Sequence, residues 1–244
     1  MVRDLLDGIF AYLRAIRIIG RLGLWGYVLI PGLLSVLLGA AIVSAGWGLS
    51  DDVGGLLTRY WPWEWGSGVV ETVGQVFGGL LIVIGGLLLF KHLILIISGP
   101  FMSPLSEKVE RYLAGRDVPM EFSLAEMLRQ LVRGLVLGLR NALLEILLTI
   151  PLLLIGLIPV FTPFTTALIF LIQSYYAGFG NMDFTLERHY MVGGSIRFVR
   201  RHRWLAIGNG AVYLLLLLTG LGFLVALPIA VVAATVETVK RLDD

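Results

Sequence analysis

Cysteine is absent from all 244 residues, which removes disulfides, thiolate metal sites and thiol nucleophiles. That absence leaves the redox compartment open. Histidine is scarce: the three present, His92, His189 and His202, show no metal-ligand spacing. No H-E-x-x-H, nucleophile elbow or phosphate loop occurs either. Nothing therefore argues for an enzyme, and neither a metal nor a cofactor is expected. Charge is thin, with Asp, Glu, Lys and Arg at 15% of the chain and a net charge of +2. The basic residues track the edges of apolar segments, which argues against a nucleic-acid partner. The N-terminus has no short apolar core followed by a small-residue cleavage site, so no cleaved signal peptide is expected. Internal repeats and low-complexity tracts are also missing.

Apolar sequence is abundant. Hydrophobic residues make up 57% of the chain and the mean hydropathy is +0.88. A soluble domain of this length cannot hide that much apolar surface in one core, so lipid must cover part of it. The expectation is a single all-α membrane domain over residues 1–244, with membrane lipids as partners. Residues 1–21 form an amphipathic interfacial helix, with Leu5, Leu6, Ile9, Leu13 and Ile16 on one side and Asp7, Arg14, Arg17 and Arg21 on another. Residues 24–46 are a first transmembrane helix, long enough for roughly 30 Å of hydrocarbon. An external loop, 47–68, carries Trp61, Trp63 and Trp65 as an interfacial belt. A second transmembrane helix covers 69–97.

Residues 98–141 are expected to be cytoplasmic helices. Ser98-Gly99-Pro100 ends the preceding helix, and Ser103-Pro104 opens the next as N-cap and first-turn proline. A capping box at Ser123–Glu126, stapled by Phe122 and Met127, opens another. Two helical hairpins follow, over 142–179 and 205–237, separated by a basic segment at 180–204. Their breaks, at Pro159–Pro163 and Thr219–Gly222, carry no charge, and the arms of the second are about 14 residues, roughly 21 Å of helix. We expect both hairpins to enter the bilayer and return to the same side, the second only part-way. Of 19 Lys and Arg, only Arg59 lies in the 47–68 loop, so the positive-inside rule puts both termini in the cytoplasm. Six full crossings give the same charge balance.

The run Ser98-Gly99-Pro100-Phe101-Met102-Ser103-Pro104-Leu105-Ser106-Glu107-Lys108-Val109-Glu110 resembles the CysZ family of the etoposide-induced membrane-protein superfamily. The family pattern there is a small residue, Pro-Phe, a variable stretch, Leu, and Glu-Lys-Val-Glu. Val28-Leu29-Ile30-Pro31, Asn141 with Glu145, and Arg197-Phe198-Val199-Arg200-Arg201-His202-Arg203 agree in order, so the likeness covers nearly the whole chain. It implies two long spanning helices with partly inserted hairpins, a homo-oligomer, and an inner-membrane permease supplying sulfate or a related oxyanion for sulfur assimilation. A non-transporting member that scaffolds or shapes the membrane is the alternative. Where the family reads Gly-Leu-Arg-Arg-aromatic, tied to sulfate binding, this chain reads Gly23-Leu24-Trp25-Gly26-Tyr27. Both arginines are replaced, and Arg21 is the nearest guanidinium.

An oxyanion needs arginine forks or free backbone N–H groups at a helix start. Arg21, Gly23 and Leu24, just before the first long helix, are the leading anion-binding candidates. An arginine on headgroups beside a junction glycine is the structural alternative. The turn at Gly99–Pro104 is a weaker anion contact, since proline removes donors. Arg197, Arg200 and Arg201 share a helical face and form either an anion funnel or an anchor on anionic lipid. Glu145, inside an apolar arm one turn after Asn141, should face protein, paired with Arg or Asn or protonated. Its role is either structural or a transport-linked proton site. Gly74, Gly78 and Gly85, with Gly32, Gly39 and Gly46, mark close helix packing.

Overall fold

A computed structural model describes residues 2–50, 52, 67–115, 124–219 and 222–242. Trp61, Trp63 and Trp65, Arg59, and Phe122 and Ser123 at the start of the capping box lie outside those residues. Every regular element described is an α-helix: α1 (Val2–Leu22), α2 (Trp25–Gly48), α3 (Ser67–Leu113), α4 (Leu124–Gly156), α5 (Thr162–Leu186), α6 (Val192–Arg201), α7 (Arg203–Leu217) and α8 (Gly222–Val239). Two of them, α2 and the Leu128–Gly156 part of α4, are long and apolar enough to cross a membrane. In each, only 22% of the apolar window is buried inside the protein, unlike the core helix of a soluble domain.

The chain divides into two units, Ser35–Lys91 and the combination of Met1–Leu34 with His92–Asp244. In the smaller unit, α2 and the first half of α3 approach through small residues. A methyl placed on Gly79 would sit 3.0 Å from the Gly46 carbonyl oxygen, and one on Gly86 would sit 2.5 Å from Ile42. Lipid offers no hydrophobic drive for helix pairing, so such close approach supplies the dispersion that holds the pair.

In the larger unit, α5, α7, α8 and α1 pack on one another, and α4 lies against α5. The stretch Ala230–Val236 of α8 is buried throughout. Phe179, Met182 and Leu186 of α5 join Phe198, Val199, Leu205, Ala206 and Ala234 in one core. Glycine sets the spacing here too. A methyl on Gly178 would overlap the Ala206 carbonyl, and one on Gly210 would overlap the Ser174 carbonyl. Helix α1 buries Gly8, Ala11, Tyr12, Ala15 and Ile19 against α7 and α8. Its larger apolar residues, Leu6, Phe10, Leu13 and Ile16, point outward. The helix therefore carries a small-residue stripe for protein beside a bulky apolar one.

Two sequence expectations are corrected. The helix does not break at Ser98-Gly99-Pro100, and Ser103-Pro104 does not cap a new one, because α3 runs through Pro100 and Pro104 to Leu113. Each interior proline costs about 3 kcal/mol. Ile94, Leu95, Met102, Leu105 and Val109 are all buried on the two sides of the prolines, and that packing offsets the cost. Helix α4 begins at Leu124 and α5 continues to Leu186, with the turn at 157–161 between them. Helices α7 and α8 are 15 and 18 residues long.

Gly210→Ala forces α7 away from α5 and is expected to lower stability by about 1–3 kcal/mol. Gly20→Ala, with open space around it, should be neutral or slightly stabilising. Unfolding midpoints of both variants in the same detergent check the contrast.

Candidate functional site

The lower half of α3, α4 and α5 enclose a seam of polar side chains inside an otherwise apolar domain. It begins with Glu145 of α4, which is 5% exposed and accepts a hydrogen bond from, or shares a proton with, His92 of α3 at 2.9 Å. Glu145 thus faces protein and pairs with His92. One turn earlier, Asn141 accepts from Arg140 Nη1 at 2.8 Å. Both helices place these residues inward because their other faces are apolar, and an ionisable group turned to lipid would be expensive.

Further along, Arg133 of α4 grips Asp183 of α5 in a two-point fork of 3.1 and 2.8 Å. It also donates to the Tyr190 carbonyl and the Ser195 hydroxyl, both at 2.8 Å. Arg188, just beyond α5, donates to Glu110 of α3 through Nε at 2.9 Å and Nη2 at 2.6 Å. It reaches the Ser106 hydroxyl and the Phe184 carbonyl as well. His189 meets the other Glu110 oxygen at 2.6 Å. Ser106, Thr185 and Thr235 close a buried ring of hydroxyls at 2.9–3.0 Å.

Glu187 occupies the middle of this array and accepts from Ser103 Oγ. Burial pushes its carboxyl up to about 7, against the Ser103 hydrogen bond, which lowers it; the Asp183 carboxylate adds to the rise. Arg188 and Arg133 hold back the remainder. Two cavities share part of their lining here. A surface pocket of about 630 Å³ is lined by Arg129, Arg133, Arg188 and His189, and an inner cavity of about 40 Å³ by His92, Asn141, Tyr176 and Asp183. Gln130 and Glu187 line both.

The leading anion candidates sit elsewhere, at the α1–α2 junction. The N–H groups of Gly23 and Leu24 bond to the carbonyls of Gly20 and Ile19, so they close α1 instead of facing outward. Gly23 has φ +63°, the left-handed conformation that ends a helix and favours glycine. The Leu24 side chain is buried. Arg21 donates to the Tyr112 hydroxyl at 3.0 Å, and Lys108 Nζ lies 4.9 Å from the centre of the Tyr27 ring. The second half of α3 thereby brings a cation, Lys108, to the start of α2. Arg197, Arg200 and Arg201 project from α6 as exposed residues, while Ser195, Phe198 and Val199 of the same helix are buried. The structure does not bring those three arginines to the seam.

The family described as Sulfate transporter CysZ/Etoposide-induced protein 2.4 matches residues 11–228. The chain belongs to this family. Two proteins called sulfate transporter CysZ, both from strains of Pseudomonas aeruginosa, are 30% identical over 227 residues, covering 93% of this chain and 92% of each relative. A third of that name, from Pseudomonas paraeruginosa, is 29% identical over the same length. Seen against the CysZ-like segment, the structure gives its residues distinct jobs. Met102, Leu105 and Val109 are core, Glu110 anchors Arg188 and His189, and Glu107 pairs with Arg111. Sequence reasoning missed Gln130, Asp183, Glu187 and Arg188. For the last three the signal was charge at the end of α5, and their partners across the seam lie 50 to 85 positions away.

Two outcomes are expected. Glu145→Leu or His92→Leu alone should each cost about 1–3 kcal/mol by leaving a buried polar partner unpaired, while the double variant loses clearly less than the sum. Unfolding midpoints of the four proteins close that cycle, and additive losses would dissolve the pair. The Glu187 carboxyl titrates at 4.5 when unfolded and about 7 when folded, so the folded state holds more protons between those values. Its contribution is therefore present below pH 4.5, declines as pH rises, and is gone above about pH 7. Compared with Glu187→Gln, the native protein should lose on the order of 3 kcal/mol of stability across this window, read from pH-dependent melting.

Proposed function

We propose that this chain is a permease of the bacterial inner membrane that carries sulfate or a related oxyanion for sulfur assimilation. The observation that carries the reading is the polar seam. His92 and Glu145 lie in stretches that cross or enter the bilayer, Asn141, Gln130, Glu187, Asp183 and Arg133 continue the seam on the cytoplasmic side, and intramembrane ionisable residues like the first two mark ion and substrate routes. The name carried by its Pseudomonas relatives supports the substrate class.

An oxyanion dianion first meets the α1–α2 junction. The family's two arginines are replaced there by Trp25 and Gly26, and Arg21 with Lys108 supplies the cationic charge. At the start of α2 the N–H groups of Trp25 and Gly26 add donors, while that of Tyr27 is taken by the Leu24 carbonyl. Gly23 and Leu24 shape the site through the turn. Arg197, Arg200 and Arg201 rest on anionic headgroups of the cytoplasmic leaflet. Both termini are cytoplasmic, the α4–α5 and α7–α8 hairpins return to the side they enter, and several copies assemble in the membrane. The scaffolding alternative draws support from one feature: the seam arginines Arg133 and Arg188 are already engaged by carboxylates.

Purified protein in proteoliposomes should take up labelled sulfate well above empty vesicles. Uptake equal to empty vesicles, with insertion verified, would reject transport. Arg21→Ala should weaken sulfate binding about tenfold in a calorimetric titration, the loss of about one charge-assisted hydrogen bond at 1.5–3 kcal/mol.

A further inference from the structure

The surface pocket and the inner cavity share two side chains, Gln130 and Glu187. The groups around this shared lining come from three elements, and most of their charge is already matched. From α4, Arg133 is neutralised by Asp183 of α5 through a two-point fork, and Arg129 lines the outer pocket. From α3, Glu110 is matched by Arg188 and touched by His189, Glu107 is matched by Arg111, and Ser103 presents a hydroxyl. His92 and Glu145 balance one another deeper in. Glu187 has no such fork; its side-chain contact in the seam is the neutral Ser103 hydroxyl. Its ionisation state therefore sets the local sum of charge where the two cavities share their lining.

We propose that Glu187 is the gating residue for anions in this seam: as a neutral acid it admits a dianion from one cavity to the other, and as a carboxylate it repels it. The role rests on the transport reading above and names the residue that would control selectivity. A neutral Glu187 offers the passing oxyanion an O–H donor, whereas the carboxylate offers only acceptors to a solute that itself only accepts. Burial places its titration at about 7, inside the range that cells reach, and the Ser103 hydrogen bond favours the charged form. Sulfate remains a dianion throughout that range, so a change in flux reports on the protein.

The test is labelled-sulfate flux in proteoliposomes at about pH 6 and about pH 8, with the same pH on both sides. Native flux should be several-fold lower at the higher pH, and Glu187→Gln should be active and flat between the two. Ser103→Ala removes the bond that favours the carboxylate and should move the midpoint of the native profile upward. Native flux independent of pH overturns the gate, as does a folded Glu187→Gln that keeps the native pH profile or is inactive at both values. If Glu187→Gln fails to fold by size exclusion and melting, the Ser103→Ala midpoint decides: an upward shift supports the gate and an unmoved profile overturns it. A pH response arising from any other group, His92 and His189 included, persists in Glu187→Gln. Absence of flux in the native protein at every pH defeats the transport reading, and the gate falls with it.

Discussion

Arg188 donates to Glu110, Ser106 and two main-chain carbonyls, and this one guanidinium fastens the lower half of α3 to the end of α5. Its planar donors suit such a site, where a lysine could satisfy one partner at a time. Around it the buried hydroxyls of Ser106, Thr185 and Thr235 complete one another and extend the contact to α8. Polar groups that lipid cannot solvate have to find partners within the protein. Here those partners bring three separate helices to one place, and the seam exists because of it.

Elsewhere the domain is held by closeness instead of polarity. Helix α5 crosses α7 with glycine on both sides, at Gly178 and Gly210, and α7 meets α1 with Gly208 opposite Gly8. At the far ends of the chain, Glu237 is 1% exposed and takes Arg14 of α1 at 2.7 Å together with Lys240 and Arg241 of its own terminus. Arg241 then reaches Asp7. Three cations and two carboxylates thus tie α1 to the end of α8, compensating a carboxylate that could not stay charged alone in that setting.

The pattern of charge bears on how an oxyanion could be handled. Deep in the seam, positive charge is matched pair by pair; on the transport reading proposed above, such a seam would not hold a dianion too tightly to release. Free cationic character is concentrated at the edges instead, at the Arg21–Lys108 approach to α2 and on the outward face of α6. Weak interior sites flanked by attractive rims suit passage better than storage.

Helical class, a lipid environment and family membership were legible from residue order, because apolar content and the Pro-Phe to Glu-Lys-Val-Glu segment are local properties of the chain. So was the fact that Glu145 needs a protein partner. Which partner it takes was not: His92 is 53 residues away, and nothing local distinguishes it from a snorkelling neighbour of Lys91. The same limit explains Pro100 and Pro104. Local propensity says stop, but burial of Leu95, Met102, Leu105 and Val109 on both sides outweighs two missing backbone bonds. At Gly23 the glycine was visible and its use was not, since only the folded backbone shows its N–H bonded to Gly20 and the Leu24 N–H bonded to Ile19. Composition and periodicity report what each stretch demands of its solvent; the identity of the group that meets the demand depends on helices that pack across the fold.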